Sequence, residues 1–248
     1  MDLSTKKVAI VTGASRGIGA AIAKRLSLDG FAVVVNYVGN REKAETVVQE
    51  IHAEGGDAIA VQGDVSKAQD VESLFDWAEK TYGGVDVLVN NAGIQTPKPI
   101  NIADTDEELY DKIFNINTRG TFFTLRQAAR RLRNGGRIVN FSTSAVGLAM
   151  PGYAIYAGAK SAVEIFTNII AKELRGRNIT VNAIAPGPTA TDLFYQGKSE
   201  ELIDNFAKKA PLERLGQPDD IASTVAFLVS PEGNWVNGQI LRVNGGIV

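Results

Sequence analysis

The fold of this chain is decided by one stretch, Thr12-Gly13-Ala14-Ser15-Arg16-Gly17-Ile18-Gly19. An apolar run, Val8–Val11, precedes it, and a helical pattern, Ile18–Leu28, follows it. Gly13 permits a tight turn, while Gly17 and Gly19 let backbone and helix approach a ligand closely. A strand, a glycine turn and a helix in this order direct helix N-terminal N–H groups at a pyrophosphate. The stretch therefore predicts a dinucleotide-binding loop.

The rest of the chain alternates β-rich runs with helical patterns. Several runs are solidly apolar, as in parallel strands that are covered on both faces. This alternation predicts the α/β class, with one doubly wound, Rossmann-type, seven-stranded parallel sheet and helices on both faces. The predicted strands are Val8–Val11, Ala32–Val35, Ala58–Gln62, Val85–Val89, Arg137–Phe141, Thr180–Ile184 and Ile240–Val243. The predicted helices include Ile18–Leu28, Arg41–Ala53, Val71–Tyr82, Ala159–Leu174 and Pro218–Val229.

Composition excludes several classes of function. The 248 residues carry a net charge of −2, which gives no basic excess for nucleic acid. There are no cysteines and one histidine, His52, so no metal site is expected. No apolar stretch is long enough for a membrane span, and Met1–Lys7 lacks a signal-peptide core. We expect one cytoplasmic catalytic domain, residues 1–248, with no nucleic-acid or membrane partner.

One irregular segment, Pro186 to Pro211, interrupts the alternation. It follows a predicted parallel strand, so it lies at the carboxyl edge of the sheet, where open α/β folds bind ligands. We interpret residues 188–211 as a substrate lid. The alternative is a surface helical hairpin that contacts no ligand.

The end of the second predicted strand bears on the choice of cofactor. Dinucleotide sites that prefer NAD place Asp or Glu near here, whereas this chain has Asn36 followed by Tyr37. Asn36 does not repel a 2′-phosphate, and Arg16 attracts one. We therefore predict NADP(H), with NAD(H) as the alternative. Arg16 and Arg41 are, in that alternative, solvated loop charges.

A tyrosine and a lysine stand four residues apart, as Tyr156 and Lys160. On a helix, residues i and i+4 share a face. A nearby ammonium favours the phenolate and lowers a tyrosine pKa, so Tyr156 is predicted to exchange a proton with a carbonyl oxygen. Tyr153 has Ala157 four residues on and therefore lacks such a partner.

Together these motifs resemble the short-chain dehydrogenase/reductase family over essentially the whole chain. Asn90-Asn91-Ala92-Gly93 is similar to its NNAG motif, and Asp64-Val65 to its adenine-contacting pair. The resemblance implies that Pro186 and the residues after it hold the nicotinamide carboxamide. The implied cofactor contacts are Gly13, Ser15, Arg16, Gly17, Ile18, Gly19, Asn36, Tyr37, Asp64, Val65, Asn91, Ala92, Gly93, Tyr156, Lys160, Pro186, Gly187, Thr189 and Thr191.

The resemblance also implies a catalytic set. Lys160 holds the nicotinamide ribose, Asn117 positions a water that links Lys160 to solvent, and a serine orients the substrate carbonyl toward Tyr156. Ser142-Thr143-Ser144 leaves that last residue open. The following Ala145-Val146-Gly147 turn selects Ser144, which we favour, whereas counting back from Tyr156 selects Thr143.

Within the family, the chain is most similar to 3-oxoacyl-carrier-protein reductases and polyhydroxynaphthalene reductases. This implies an NADPH-dependent ketone or 3-oxoacyl reductase and a homotetramer built through helices near residues 110–133 and 155–174, with Val163, Phe166, Ile169 and Ile170 suited to a buried face. Arg130, Arg131 and Arg133 form either a docking patch for an acidic carrier protein or a solvated helix end. The alternative functions are an NAD-dependent alcohol or sugar dehydrogenase and a non-catalytic NADP(H)-binding regulator.

Overall fold

The computed structural model describes residues 6–248, so Met1–Thr5 and the signal-peptide prediction that rests on them lie outside the described residues. Seven strands form one parallel sheet in the order β3-β2-β1-β4-β5-β6-β7. They are β1 (Val8–Val11), β2 (Ala32–Tyr37), β3 (Asp57–Gln62), β4 (Val85–Asn90), β5 (Leu132–Phe141), β6 (Thr180–Pro186) and β7 (Ile240–Val243). The predicted fold class and all seven strands are confirmed.

Helices cover both faces of the sheet. They are α1 (Gly17–Leu28), α2 (Arg41–Ala53), α3 (Ala68–Tyr82), α4 (Glu107–Phe114), α5 (Gly120–Arg131), α6 (Ala145–Leu148), α7 (Ala154–Glu173), α8 (Asp192–Tyr195), α9 (Glu200–Lys209) and α10 (Pro218–Val229). A π-helical turn, Asn115–Arg119, joins α4 to α5 without a break. Two short 3₁₀ turns, Ile102–Asp104 and Pro231–Gly233, complete the helical elements of residues 6–248.

The alternation of side chains along the strands divides the core into two clusters. Val11 and Val33 pack with α1, α2 and α10 on one face, while Ile10 and Val34 pack with α3, α5 and α7 on the other. Both faces are therefore apolar, which explains why β1 and β2 read as unbroken apolar runs. No helix of residues 6–248 has the length and apolar character needed to cross a membrane.

The sheet order creates the site. Strand β1 lies between β2 and β4. Strands β2 and β3 are added on one side of β1, and β4 to β7 are added on the other, so the strand order reverses at β1. The glycine loop after β1 and the Asn90–Gly93 segment after β4 are consequently neighbours at the carboxyl edge. Open α/β sheets bind ligands at such a switch point.

Candidate active site

The N-terminus of α1 is open to an anion. Among the described residues no side chain caps this helix, and its first turn carries no acidic residue. Gly13 and Gly17 have φ values of 63° and 56°, a conformation that favours glycine. Unpaired N–H groups and the positive end of the helix dipole fit a pyrophosphate. The geometry of the predicted loop therefore suits a dinucleotide.

Two side chains fasten this loop to the segment after β4. Asn91 Nδ2 donates to the carbonyls of Thr12 and Gly13 at 2.9 and 3.1 Å. Thr12 Oγ1 accepts the Ala92 N–H at 3.0 Å and donates to the Val89 carbonyl at 3.3 Å. Sequence reasoning missed this role of Thr12, because its partners lie nearly eighty positions away and no local pattern marks them.

Asn36 supports the loop from the opposite side. Its Oδ1 accepts the Gly13 N–H at 3.2 Å, and its Nδ2 donates to the Val61 and Gly63 carbonyls at 3.3 and 2.9 Å. With 1% of its surface exposed, Asn36 is built into the fold. Asn36 therefore supports the glycine loop, and its direct contact with the cofactor stays a prediction.

The other residues predicted near the adenosine differ in exposure. Arg16 is exposed and forms no ion pair within residues 6–248, whereas Tyr37 and Val65 are buried. Val65 packs against Gly120, where an added Cβ would lie 2.8 Å from Val65 Cγ2. Asp64 Oδ1 accepts hydrogen bonds from the N–H and hydroxyl groups of Ser66. Among the residues predicted to contact the adenosine end of the cofactor, Arg16 is thus the one with an exposed positive charge.

The catalytic candidates meet where β5 ends against α7. The Thr143 side chain lies beside Tyr156, and its polar interaction with the phenol lowers the pKa of Tyr156. Lys160 lies one turn further along α7, and its Nζ donates to the Phe141 carbonyl at 2.7 Å. Tyr156, Lys160 and Thr143 all line one cavity.

Ser144, which the sequence favoured, also lines this cavity, but its hydroxyl is bonded to other partners. Its Oγ donates to the Ala185 carbonyl and accepts from Asn244 Nδ2, both at 3.0 Å, and only 2% of the residue is exposed. Thr143, rather than Ser144, lies beside Tyr156, so the geometry favours Thr143, and the choice of the catalytic hydroxyl stays a prediction. The sequence left the choice between Thr143 and Ser144 open because the turn after Ser144 does not indicate how β5 is placed against α7.

Burial dominates the electrostatics of the pair. Burial raises the pKa of Tyr156, the Thr143 hydrogen bond lowers it, and Tyr153 raises it. Burial also lowers the pKa of Lys160 to about 8. The sequence-based expectation that Lys160 lowers the tyrosine pKa needs correction, because the net direction for Tyr156 is upward. Tyr156 therefore keeps its proton at neutral pH, as a proton donor requires.

Asn117 lies in the π turn and is fully buried. Its Oδ1 accepts the Ile94 N–H at 2.9 Å, and its Nδ2 donates to the Ile94 carbonyl at 2.8 Å. A Cβ on Gly93 would lie 3.0 Å from Asn117 Oδ1 and 3.2 Å from Lys160 Nζ. Asn117 thus fixes the segment after β4 beside Lys160.

The segment after β6 forms the opposite wall of the site. Thr189 Oγ1 donates to the Gly187 carbonyl at 2.9 Å, and the Pro186 carbonyl accepts the Ser144 N–H at 2.9 Å. Thr191 caps α8 and approaches Gly17, where an added Cβ would lie 3.4 Å from Thr191 Cγ2. The glycine loop and this segment therefore face each other across the cofactor cleft.

Helices α8 and α9 cover the cleft. Gln95 Nε2 donates to the Leu193 carbonyl at 2.7 Å, and Lys43 lies 3.7 Å from the Asp192 carboxylate. The cavity beneath has a volume of about 170 Å³ and an apolar and aromatic wall. That wall includes Leu148, Met150, Tyr153, Leu193, Phe194 and Phe206.

The predicted arginine cluster is largely neutralised. Arg131 pairs with Asp76 and Glu79, both at 2.6 Å, and Arg133 pairs with Asp86 at 3.0 Å. These arginines lie where α5 ends and β5 begins, at the edge of the sheet opposite Tyr156. The geometry therefore favours a solvated helix end over a docking patch for an acidic carrier protein.

Comparison with known proteins agrees with this geometry. A family model described as enoyl-(acyl carrier protein) reductase matches residues 13–248. A short-chain type dehydrogenase/reductase of Picea abies is 46% identical over 250 residues, covering 98% of this chain and 92% of the relative. An Arabidopsis thaliana protein named "NADPH-dependent aldehyde reductase-like protein, chloroplastic" is 45% identical over 254 residues. The match covers 98% of this chain and 94% of that protein.

A solved structure is similar over the same length. A short chain dehydrogenase from Burkholderia cenocepacia J2315, in complex with NADP, has a TM-score of 0.91 and 38% identity. The match covers 100% of this chain and 99% of that one. The chain belongs to the short-chain dehydrogenase/reductase family.

Proposed function

We propose that this protein reduces small aldehydes or ketones to alcohols with NADPH, using Tyr156 as the proton donor. It is an NADP(H)-dependent oxidoreductase of its family. The position of Tyr156 in the wall of a largely apolar cavity, with Lys160 one turn away and Thr143 lining the same cavity, carries the proposal.

Each residue of the site has a role in this reaction. The NADPH nicotinamide supplies hydride to the carbonyl carbon when bound. Tyr156 Oη donates its proton to the carbonyl oxygen, and Thr143 fixes the orientation of the phenol. Lys160 compensates the charge that develops on the phenolate and holds the ribose hydroxyls, while Asn117 keeps Gly93 and Ile94 in place.

The remaining contacts divide between the two ends of the cofactor. Gly13, Ser15, Gly17, Ile18 and Gly19 cradle the pyrophosphate at the N-terminus of α1. Arg16 pairs with the 2′-phosphate, and the segment Pro186, Gly187, Thr189 and Thr191 flanks the nicotinamide. Asp64, Val65 and Tyr37 border the adenosine, and Ala92 and Gly93 the ribose.

The cavity favours a small, apolar carbonyl compound. A dry cavity of about 150 Å³ accommodates one benzene molecule. The cavity of about 170 Å³ beside Tyr156 is shared with positions assigned to the nicotinamide, so the room left for the substrate is small and favours a short aliphatic or aryl compound. The neutralised arginines on the opposite edge remove the main argument for a carrier-bound 3-oxoacyl substrate.

We further propose that residues 1–248 act as one catalytic domain and that residues 188–211 form its lid. Leu193, Phe194 and Phe206 contribute to the cavity wall, and Phe206 is 8% exposed. The edge-on contact between Phe194 and Phe206, with ring centroids 5.7 Å apart, packs α8 against α9. This lid excludes water from the reacting carbonyl.

The protein is proposed to act as a homotetramer. Phe122 on α5 and Ile165 and Ile169 on α7 are 46%, 56% and 49% exposed, an apolar surface that a second copy would cover. Val163 and Ile170, also considered for that face, lie in the core of their own chain. Light scattering of the wild type and of Ile165→Asp tests this, since the substitution is expected to yield smaller species.

Initial rates of NADPH oxidation test the proposed activity. The substrates are a short aliphatic aldehyde, benzaldehyde, an acetoacetyl thioester, an enoyl thioester and a bicyclic aromatic ketone, each repeated with NADH. We expect the two aldehydes to give the highest kcat/KM, and NADPH to exceed NADH. Exclusive turnover of a thioester would contradict the substrate assignment. A faster reverse reaction with NAD and a secondary alcohol would favour an NAD-dependent dehydrogenase, and NADPH binding without any turnover would favour a regulator.

A further inference from the structure

Three consecutive residues where β5 ends, Asn140 to Ser142, are each hydrogen-bonded to α7. The pairs are Asn140 Nδ2 with Thr167 Oγ1 at 2.8 Å, the Phe141 carbonyl with Lys160 Nζ at 2.7 Å, and Ser142 Oγ with Glu164 Oε1 at 2.5 Å. The next residue, Thr143, lies beside Tyr156 on the same helix. The partners on α7 follow one another at one-turn intervals from Tyr156 through Glu164.

The bond between Ser142 and Glu164 lies within this series but outside the proposed chemistry. Ser142 is 3% exposed, and Glu164 is half-buried. A hydroxyl that donates to a carboxylate makes a short, charge-assisted hydrogen bond, stronger than one between neutral groups. Within residues 6–248 Glu164 forms no ion pair, so a salt bridge does not account for it.

Ser142 connects the two backbone positions on which the site depends. The peptide group before it contains the Phe141 carbonyl that holds Lys160, and the residue after it is Thr143, which holds Tyr156. A rotation of the Ser142 backbone therefore moves both partners of the catalytic pair together. The Glu164 carboxylate opposes that rotation because it accepts the Ser142 hydroxyl.

We propose that Glu164 is a positioning residue, which acts through Ser142 to set Thr143 and the Phe141 carbonyl against Tyr156 and Lys160. The predicted effect of Glu164 on kcat rests on the proposed function, whereas its predicted effect on the positions of Thr143 and Lys160 does not. Glu164 does not line the cavity, so its loss acts only through Thr143 and Lys160 and is expected to lower kcat more than it weakens NADPH binding.

Four variants test the role. Glu164→Ala is expected to lower kcat about tenfold, as the loss of a charge-assisted bond implies, with a smaller change in the Kd for NADPH. Glu164→Gln keeps an acceptor oxygen and should recover most of kcat. Ser142→Ala should resemble Glu164→Ala, and the double variant should be no slower than either single one, because both partners act through one bond.

A control and a structural readout separate this inference from the proposed function. Glu173→Ala removes an exposed carboxylate from the same helix and should leave kcat unchanged. In a crystal structure of Glu164→Ala, the Thr143–Tyr156 and Phe141–Lys160 contacts should both be longer than in a wild-type crystal structure, whether or not a substrate is known. An intact contact, an unchanged kcat, or an equal loss in the Gln variant would overturn the inference. A wild type that reduces no carbonyl compound would refute the proposed function and leave the crystallographic test standing.

Discussion

The Nζ atom of Lys160 donates a hydrogen bond to the backbone carbonyl of Phe141 at 2.7 Å. This bond joins the catalytic helix to the strand end that also carries Thr143. The ammonium lies in a buried site, with 4% of Lys160 exposed, and burial lowers its pKa to about 8. The cation of the site is therefore held by a neutral carbonyl rather than by a carboxylate.

The buried ammonium makes stability depend on pH. Because the Lys160 pKa falls from 10.5 to about 8 on folding, the unfolded chain binds the proton more tightly. Below about pH 8, the burial of the charged Lys160 lowers the free energy of unfolding by its full amount, and this loss of stability disappears as the pH rises toward 10.5. Relative to Lys160→Met, the wild type should gain up to about 3 kcal/mol across this range. Melting temperatures of both proteins measure this, and parallel curves would argue against the shifted pKa.

Thr143 and Ser144 should separate cleanly by mutation. Thr143→Val removes the hydroxyl that orients Tyr156 and should lower kcat about a hundredfold. Ser144→Ala removes bonds to Ala185 and Asn244 and should reduce stability while kcat changes less than about threefold. Steady-state kinetics and thermal unfolding of the two variants provide the comparison. A larger loss of kcat in Ser144→Ala would restore the sequence-based choice.

Arg16 is expected to determine the preference for NADPH. Arg16→Ala should raise the KM for NADPH about tenfold, because it removes a charge-assisted contact with the 2′-phosphate. The KM for NADH should stay within about twofold, since NADH has no such group. Arg175→Ala, which removes an exposed arginine after α7, is the matched control. Equal effects on both cofactors would point to a general role in folding the loop.

Gly93 leaves little room for a side chain. A Cβ there would lie 3.0 Å from Asn117 Oδ1, and Asn117 cannot withdraw without losing both bonds to Ile94. Gly93→Ala should therefore lower kcat/KM by about tenfold or more, through displacement of Lys160 and Asn117. Gly158→Ala on α7, where an added Cβ lies 3.9 Å from Phe114, should keep full activity. Similar rates for the two variants would show that the segment after β4 adapts.

Much of the fold could be predicted from the sequence because the patterns that mark its strands and turns are local. Parallel strands buried on both faces, such as Val8–Val11, are continuous apolar runs, and glycine marks the turn that follows. Two starts were misplaced: β5 begins at Leu132 and α7 at Ala154, each five residues before the predicted start. Asn134, Gly135 and Gly136 interrupt the apolar pattern at the start of β5, so no β-type run was visible.

The site was less readable where it depends on register or distant partners. The choice between Thr143 and Ser144 follows from how β5 ends against α7, and Asn36 contributes through bonds to the chain at Gly13 and Gly63. Glu164 reads as an ordinary helical glutamate until Ser142 is placed beside it. Such contacts join segments that are far apart in the sequence, and the motifs of each segment do not encode them.

The most direct test of the account is the turnover of Tyr156→Phe beside Tyr153→Phe. Both tyrosines line the cavity, but only Tyr156 has Lys160 one turn away. With an aldehyde and NADPH, we expect Tyr156→Phe to lose at least about a hundredfold in kcat while its Kd for NADPH stays near that of the wild type. Tyr153→Phe should retain most of its kcat. Wild-type turnover in Tyr156→Phe would contradict the assignment of Tyr156 as the proton donor.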